Sequence, residues 1–494
     1  MRAVVIGSGL GGLTSALLLQ QRGYQVTVVE QHTRPGGMLH RFFREGLPYD
    51  TGFHYCGSIE AGQPLGQIFR HLGVFDELEF HALNEDGFDR LHFPDLIFEI
   101  PKGWEAYRER LKATFPHEST GIDAIIDEML GAVSAYSLYK MQPGLDPSAL
   151  LHAEERYLVD ICRENVRDPR VLAVLAGQSG LYGVPPAEAS LGVHSLIMDH
   201  FVRGAYSVRG GGDKIAMTLT RKIRAGGGKV RLKTEAVRIH TEGRQATGVE
   251  LLSGELLPAD LVISNLHPRL TLEMLPTSAT RKAYRSRVLD AELGYGHMGA
   301  YLEVDGPVPE LGNRNLYRHL SWDVDRGYRS IAPNDIGMYF ASSPTEHVPN
   351  DSGRGVILMI IPLDYDSVCE WSGSLPKQRP AAYDAFKSAL LDKAIDTLLA
   401  DHPTLAGRIV RSEASTPLTT QYFTRSPNGA TYGQKHSLAQ MGRYRPSQRT
   451  RVRNLMLVGQ GVFSPGVLGV SLSAYYAIGQ LFGMEELLQE LRQS

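Results

Sequence analysis

The stretch Val4–Glu30, VVIGSGLGGLTSALLLQQRGYQVTVVE, constrains this chain more than any other. The apolar run Ala3-Val4-Val5-Ile6 reads as a buried parallel strand. It runs straight into Gly7-Ser8-Gly9-Leu10-Gly11-Gly12, a G-x-G-x-x-G pattern. Helical spacing follows from about Leu13 to Arg22, and Gly23 stops it; a second β-branched strand, Val26 to Val29, ends on Glu30. Gly7 makes the tight turn, Gly9 removes a side chain from the path of a pyrophosphate, and Gly12 lets the helix lie close on the sheet. The helix start offers free N–H groups and the positive end of its dipole to phosphates. Glu30 arrives about 20 residues on, where a carboxylate accepts hydrogen bonds from adenosine ribose hydroxyls. Glycines alone often do no more than make a turn. The acid at the strand end has no packing reason to be there, and it favours a dinucleotide site.

Bulk numbers narrow the class. The 494 residues suggest about three domains, and 43% hydrophobic with 21% charged residues describes a globular chain. A net charge of −3 gives no bulk attraction to nucleic acid. Cys56, Cys162 and Cys369 are scattered with no C-x-x-C, which argues against a disulfide framework and against a metal site. A reducing, cytoplasmic location is the expectation. With a strand starting at Ala3, no signal peptide is expected. Asn454 to Met484 lacks Asp, Glu, Lys and Arg and is long enough to span a bilayer. Its glycines and Pro465 favour a strand, a loop and a buried helix.

Along the chain, Gln31 leads into Gly36-Gly37-Met38, a second loop suited to close backbone approach. Asp50-Thr51-Gly52-Phe53-His54-Tyr55-Cys56-Gly57 reads as a pocket wall; taken alone, His54 is as readily a hydrogen-bonded core histidine. Helical spacing over 104–115 and 122–136, and helical composition around 150–166 and 169–177, make 61–205 a largely helical cap, with Thr120 and Asp123 as a capping box. From Tyr206 the pattern returns to the first domain. Gly210-Gly211-Gly212-Asp213 opens a helix with Asp213 as N-cap, stopped by Gly226-Gly227-Gly228. Alternating strands at Val230/Leu232, Val237/Ile239 and Val249/Leu251 give a β-meander, and 260–265 a further buried strand. Residues 276–435 read as a sheet domain with a long helix over 380–401. The arginines at 443, 445, 449, 451 and 453 read as a solvated connection, with phosphate or an anionic membrane surface as the sharper alternative.

The C-terminal section carries the second signal. Asn454 to Gln460 is a strand ending in glycine, and a small-residue helix starts near Gly469-Val470-Ser471. A nicotinamide dehydrogenase has no need of this. A flavoprotein does, because a helix N-terminus stabilises negative charge on the reduced ring.

These residues, with DTGFHYCG (50–57), FPHESTGID (115–123), LAGQSGLYGVPPAEAS (175–190), HFVRGAY (200–206), TPLTTQYFTRSPNGATYG (416–433) and NLMLVGQGVF (454–463), resemble the flavin-dependent polyene oxidoreductases. That group includes phytoene desaturases, carotenoid isomerases and retinol saturases within the amine-oxidase-like flavoproteins, and the chain is most similar to the retinol saturase branch. The resemblance implies an α/β fold: a Rossmann-type FAD-binding domain with a β-meander (1–60, 206–275, 436–494), a helical cap (61–205) and a discontinuous substrate-binding sheet domain (276–435). It implies FAD at Gly7, Ser8, Gly9, Gly11, Gly12, Glu30, Gln31 and Val237 for its ADP half, and at Gly37, Met38, Gly459, Gly469 and Val470 near the ring. It further implies an apolar polyene or isoprenoid-like substrate, entered in many relatives from a membrane surface, and hydride exchange with flavin N5. NAD(P)H is the expected donor if the reaction is a saturation. His54 and Tyr55 are the catalytic candidates by position, with proton handling by flavin and solvent as the alternative. An amine oxidase and a non-catalytic FAD- or lipid-binding protein are the rival readings.

Overall fold

The computed structural model describes residues 1–136, 139–140, 147–328, 336–343, 353–441 and 445–493. Its first unit is β1 (Arg2–Ile6), α1 (Leu10–Gln21) and β2 (Gln25–Val29). α1 begins earlier than the spacing predicts, because Gly9 O accepts from Leu13 N at 3.0 Å and so draws Gly11 and Gly12 into the first turn. The central sheet runs Lys229–Arg231, β2, β1, Leu261–Ser264, Leu455–Leu457, with every pair parallel. Ala3–Ile6 and Leu261–Ser264 are buried throughout, as strands covered on both faces must be.

Local differences from the sequence reading have local causes. The Val230 strand joins this parallel sheet rather than the meander, which is Ala236–Glu242, Gln245–Leu251 and Leu256–Pro258. Neither expected cap forms. The helix Ser119–Ala135 encloses Thr120 in its first turn, and Asp123 pairs with Arg108 at 3.1 Å. The helix Gly211–Ala225 starts after Gly210 (φ 86°), leaving Asp213 inside the first turn, paired with Arg34 at 2.7 Å. The C-terminal helix runs Gly466–Phe482, so Gly469 and Val470 lie one turn into it. Among the described residues, no helix is long and apolar enough to cross a membrane.

A second sheet of seven strands has the order Ile409–Ser415, Gly296–Asp305, Arg354–Leu363, Met338–Ser342, Asn315–His319, Asp89–His92, Ile97–Ile100. The last two strands come from within the region read as a helical cap, and Asp89–His92 pairs parallel with Asn315–His319. Strand alternation then divides the sheet by face. Met298, Leu316, Tyr339, Met359 and Ile361 pack in a core with Leu390 and Leu398 of the Ala381–Asp401 helix. His297, Tyr317, Phe340, Ile360 and Pro362 point the other way, into a cavity.

Candidate active site

That cavity holds about 1050 Å³. This is at the upper limit of a single-ligand pocket, roughly 300–1,000 Å³. Its two ends differ in construction. One is built of glycine backbone, the other of aromatic side chains from the large sheet.

At the glycine end, Gly7 turns with φ 91°, and a Cβ on Gly12 would collide with the Gly7 carbonyl. Cβ atoms on Gly9 and Gly11 would lie 2.6 Å from Asn265 Nδ2 and Oδ1, and one on Gly459 2.8 Å from Asn265 Oδ1. Asn265, at the end of the fourth strand, therefore fills the space between the first and last glycine loops. The two loops meet: a Cβ on Gly11 would be 3.4 Å from Gly459 Cα. Gly7, Gly9, Gly11, Gly37 and Met38 line this end, as do Gln31 and Val237. Glu30 lines it too. Its Oε2 accepts from Ser8 N at 2.9 Å and Ser8 Oγ at 2.7 Å, and its Oε1 from His32 N at 2.8 Å. Ser8 is fully buried with its hydroxyl spent on Glu30, so its contact is with the acid. Gly12 likewise serves the turn rather than the cavity surface. The first turn of the Gly466–Phe482 helix, including Gly469, and Val470 beyond it complete this end.

At the sheet end, His54 is half-buried, its ring 5.0 Å from that of Phe340, and its enclosed Nε2 has no partner among the described residues. Burial, aided by nearby His297, pulls its pKa down to about 3, so the ring is neutral near pH 7. Tyr55 donates to Asp89 Oδ2 at 2.7 Å and lies 2.8 Å from the Tyr317 hydroxyl; burial holds both tyrosines well above the usual phenol range. His297 Nδ1 meets Thr431 Oγ1 at 2.7 Å, and Gln460 Nε2 donates to Thr431 O at 3.1 Å. That bond ties the C-terminal loop to the sheet. Arg445, read from sequence as part of a solvated connection, lines the cavity with its guanidinium 5.4 Å from the Phe463 ring centroid. Arg443 lies outside the described residues.

Residues 10–368 match the family model described as flavin containing amine oxidoreductase. The chain belongs to this family. As a family member it is 30% identical over 515 residues to an all-trans-retinol 13,14-reductase of Macaca fascicularis, covering 94% of this chain and 83% of that protein. It is 25% identical over 492 residues to the neurosporene-forming phytoene desaturase of Cereibacter sphaeroides, covering 95% and 92%. A solved oxidoreductase from Methanosarcina mazei shares the fold, with a TM-score of 0.64 at 17% identity, covering 97% of this chain and all of that one. The chain is thus an oxidoreductase of a flavin-containing family.

The residues present fit such a group. Glycine loops that present bare backbone, an acid with its carboxylate held by local N–H and O–H donors, and a helix first turn all face one cavity. Sequence reasoning singled out none of Asn265, Asp89, Tyr317 and His297 as site residues, and it favoured a solvated place for Arg445 over a ligand contact. Asn265 could have been found at the carboxyl end of a parallel strand, where ligand crevices open. Asp89, Tyr317 and His297 carry no local signal.

Proposed function

We propose that this protein is an FAD-dependent oxidoreductase acting on a carbon–carbon bond of an apolar, polyene or isoprenoid-like substrate. The observation that carries the reading is a single cavity with a glycine cradle at one end and a sheet-borne aromatic wall at the other. Gly9 and Gly11 would admit the diphosphate, Glu30 would accept from the ribose hydroxyls, and Val237 would sit by the adenine. Gly37, Met38, Gly459 and the N–H groups at the start of the Gly466–Phe482 helix would hold the ring and favour negative charge on it. A flavin bound there supplies hydride exchange at N5. The chain supplies the rest. Phe340, Met338 and Ile360 would orient an apolar chain and exclude water, while His54 and Tyr55 stand at the wall where a proton is handled.

Saturation is the direction we favour, with NAD(P)H or another reductant as electron donor, because retinol reductases stand among the relatives at 28–30% identity. Anaerobic mixing of the yellow protein with a polyene panel, with and without NADPH, followed by product mass, tests it. A gain of two hydrogens is expected. Loss of two hydrogens would reverse the direction, and an unchanged mass with altered retention would make the reaction an isomerisation. A protein that stays colourless with added FAD would overturn the reading altogether.

A further inference from the structure

Behind the sheet-end wall lies a buried acid to which no role has yet been given. Asp89 is fully buried on the Asp89–His92 strand. Its Oδ2 accepts from the Tyr55 hydroxyl at 2.7 Å and from the Gln178 amide, and its Oδ1 accepts from Asn315 Nδ2 at 2.7 Å. The register dictates this cluster. Asn315 is the cross-strand partner of Asp89, and Tyr317, two residues on, shares the Asn315 face. Tyr317 and Tyr55 both line the cavity.

The hydrogen bonds form a line whose direction follows the charge on Asp89. With the carboxyl ionised, Tyr55 donates to Asp89 Oδ2 at 2.7 Å and its oxygen, 2.8 Å from the Tyr317 hydroxyl, accepts from it. With the carboxyl protonated the hydroxyls turn: Asp89 donates to Tyr55, Tyr55 donates to Tyr317, and the Tyr317 hydrogen is left for the cavity. Four elements meet the carboxyl. The 51–55 loop presents Tyr55, the Asn315–His319 strand Asn315 and Tyr317, the turn after the Pro169–Leu175 helix Gln178, and the Ile97–Ile100 strand apolar Ile100. Tyr328 and Tyr432 act on Tyr317 from beyond. No lysine or arginine among the described residues pairs with Asp89. Burial pushes its carboxyl up to about 7, against the lowering effect of Asn315, Tyr55 and Gln178. Three neutral donors and no cation leave the carboxyl able to hold a proton near neutral pH, which a tie between strands does not require.

We propose that Asp89 is the proton store for the chemistry in the cavity, connected to the substrate through Tyr55 and Tyr317. The proposal rests on the carbon–carbon reading. In saturation, a hydride and a proton add across the C=C bond. The substrate carbon takes its proton from Tyr317 Oη, Tyr317 takes the Tyr55 proton, and Tyr55 takes the Asp89 proton, leaving a carboxylate that regains a solvent proton along the same line once product has left the cavity. The hydride comes from the reduced flavin. Desaturation runs the same line in reverse. Tyr317 is the residue that meets the substrate, and Asp89 is a positioning residue acting through it.

Infrared difference spectra of flavin-loaded protein, titrated from acid to alkaline pH, read the buried carboxyl stretch without turnover. The band is expected to titrate near neutral pH, to vanish in Asp89→Asn and to move in Tyr317→Phe. With a polyene, kcat of Asp89→Asn should fall about 100-fold with KM little changed. Its neutral-pH inflection should disappear, and Asp89→Glu should restore part of the rate. If Asp89→Asn fails to fold, Tyr317→Phe, which removes one hydroxyl, carries the test with the same kcat loss. A carboxyl band that does not titrate around neutrality, or substitutions that keep the wild-type pH profile, would overturn the proposal. Should the wild type turn over no polyene, the carbon–carbon reading falls, and the infrared titration still decides whether Asp89 exchanges a proton along this line.

Discussion

The two ends of the cavity are made in opposite ways. The glycine end comes mainly from short segments whose backbone is the working surface: Gly7 with Gly9 to Gly11, Gly36 to Met38, and Gly459 to Val470. The sheet end comes from single side chains on strands far apart in sequence, such as His54, His297, Tyr317 and Phe340. A backbone surface tolerates little variation in residue type and writes itself as a motif. A side-chain surface needs only the right parity on each strand, and parity is invisible until the register is known.

The largest expected effect is a titration weighted to the sheet end. That end and the helix Leu191–Val202 hold His54, His194, His200 and His297, against His267 beside Asn265 at the glycine end, each held neutral by desolvation with a pKa near 3 or 4 against an unfolded value of 6.5. Their folded pKa values are depressed, so the stability they allow is present above 6.5 and is lost as pH falls below it. At pH 5 each should lower stability by about 2 kcal/mol. Asp89 has the opposite sign: raised to about 7, it favours the folded state at low pH and loses that contribution as pH rises through 7. One carboxyl cannot offset several imidazoles. Chemical denaturation from pH 7.5 to pH 5 should therefore show a steep fall in stability. A flat profile would mean that water reaches the sheet end.

Next in size is Gly9→Val. Its Cβ would meet Asn265 Nδ2 at 2.6 Å, so Asn265 or the loop, both of which line the cavity, must shift. Flavin affinity should drop at least about 100-fold, near 3 kcal/mol, read by fluorescence titration of the apoprotein. Phe340→Ala, at the other end, should leave that affinity within about threefold and raise KM for an apolar substrate. Equal flavin losses in both variants would erase the distinction between the ends.

Legibility follows the same division. The Rossmann unit, the meander, the long helix ending at Asp401 and the C-terminal strand and helix were readable because each has a local period and a local stop. The hairpin Asp89–Ile100 was not: its short strands sit in a segment flanked by helical spacing, and only pairing with Asn315–His319 defines them. Thr120 and Asp213 misled as caps because glycine at 210 and packing ahead of Ser119 start those helices earlier. The aromatic and glycine-rich stretch that holds His54 and Tyr55 reads as a pocket wall, and both residues line the cavity. The Tyr55 partners Tyr317 and Asp89 were beyond reach because nothing in either local segment marks it as a wall.

Glu30→Ala tests the glycine end at intermediate size. It removes an ionised acceptor and leaves Ser8 N and His32 N without their partner. A charge-assisted bond of this kind contributes about 1.5–3 kcal/mol, so flavin binding should weaken roughly 10- to 100-fold. The optical spectrum of whatever flavin still binds should be unchanged, because the acid sits at the nucleotide half. A shifted spectrum would place Glu30 near the ring instead.

The smallest effect asks whether the glycine end is legible down to single side chains. The sequence puts Ser8 among the ligand contacts, whereas in the fold its hydroxyl is buried against Glu30 Oε2 at 2.7 Å. If Ser8 acts only by holding the acid, Ser8→Ala loses one hydrogen bond while Ser8 N keeps the other at 2.9 Å. The affinity loss should be about 0.5–1.5 kcal/mol. It should vanish in the Glu30→Ala background, since the group being held is gone. A double-mutant cycle on flavin affinity reads this as a coupling equal to the whole Ser8 effect. Additive losses would mean that Ser8 reaches the ligand independently of Glu30, and that the motif specified its contact more directly than the buried hydroxyl suggests.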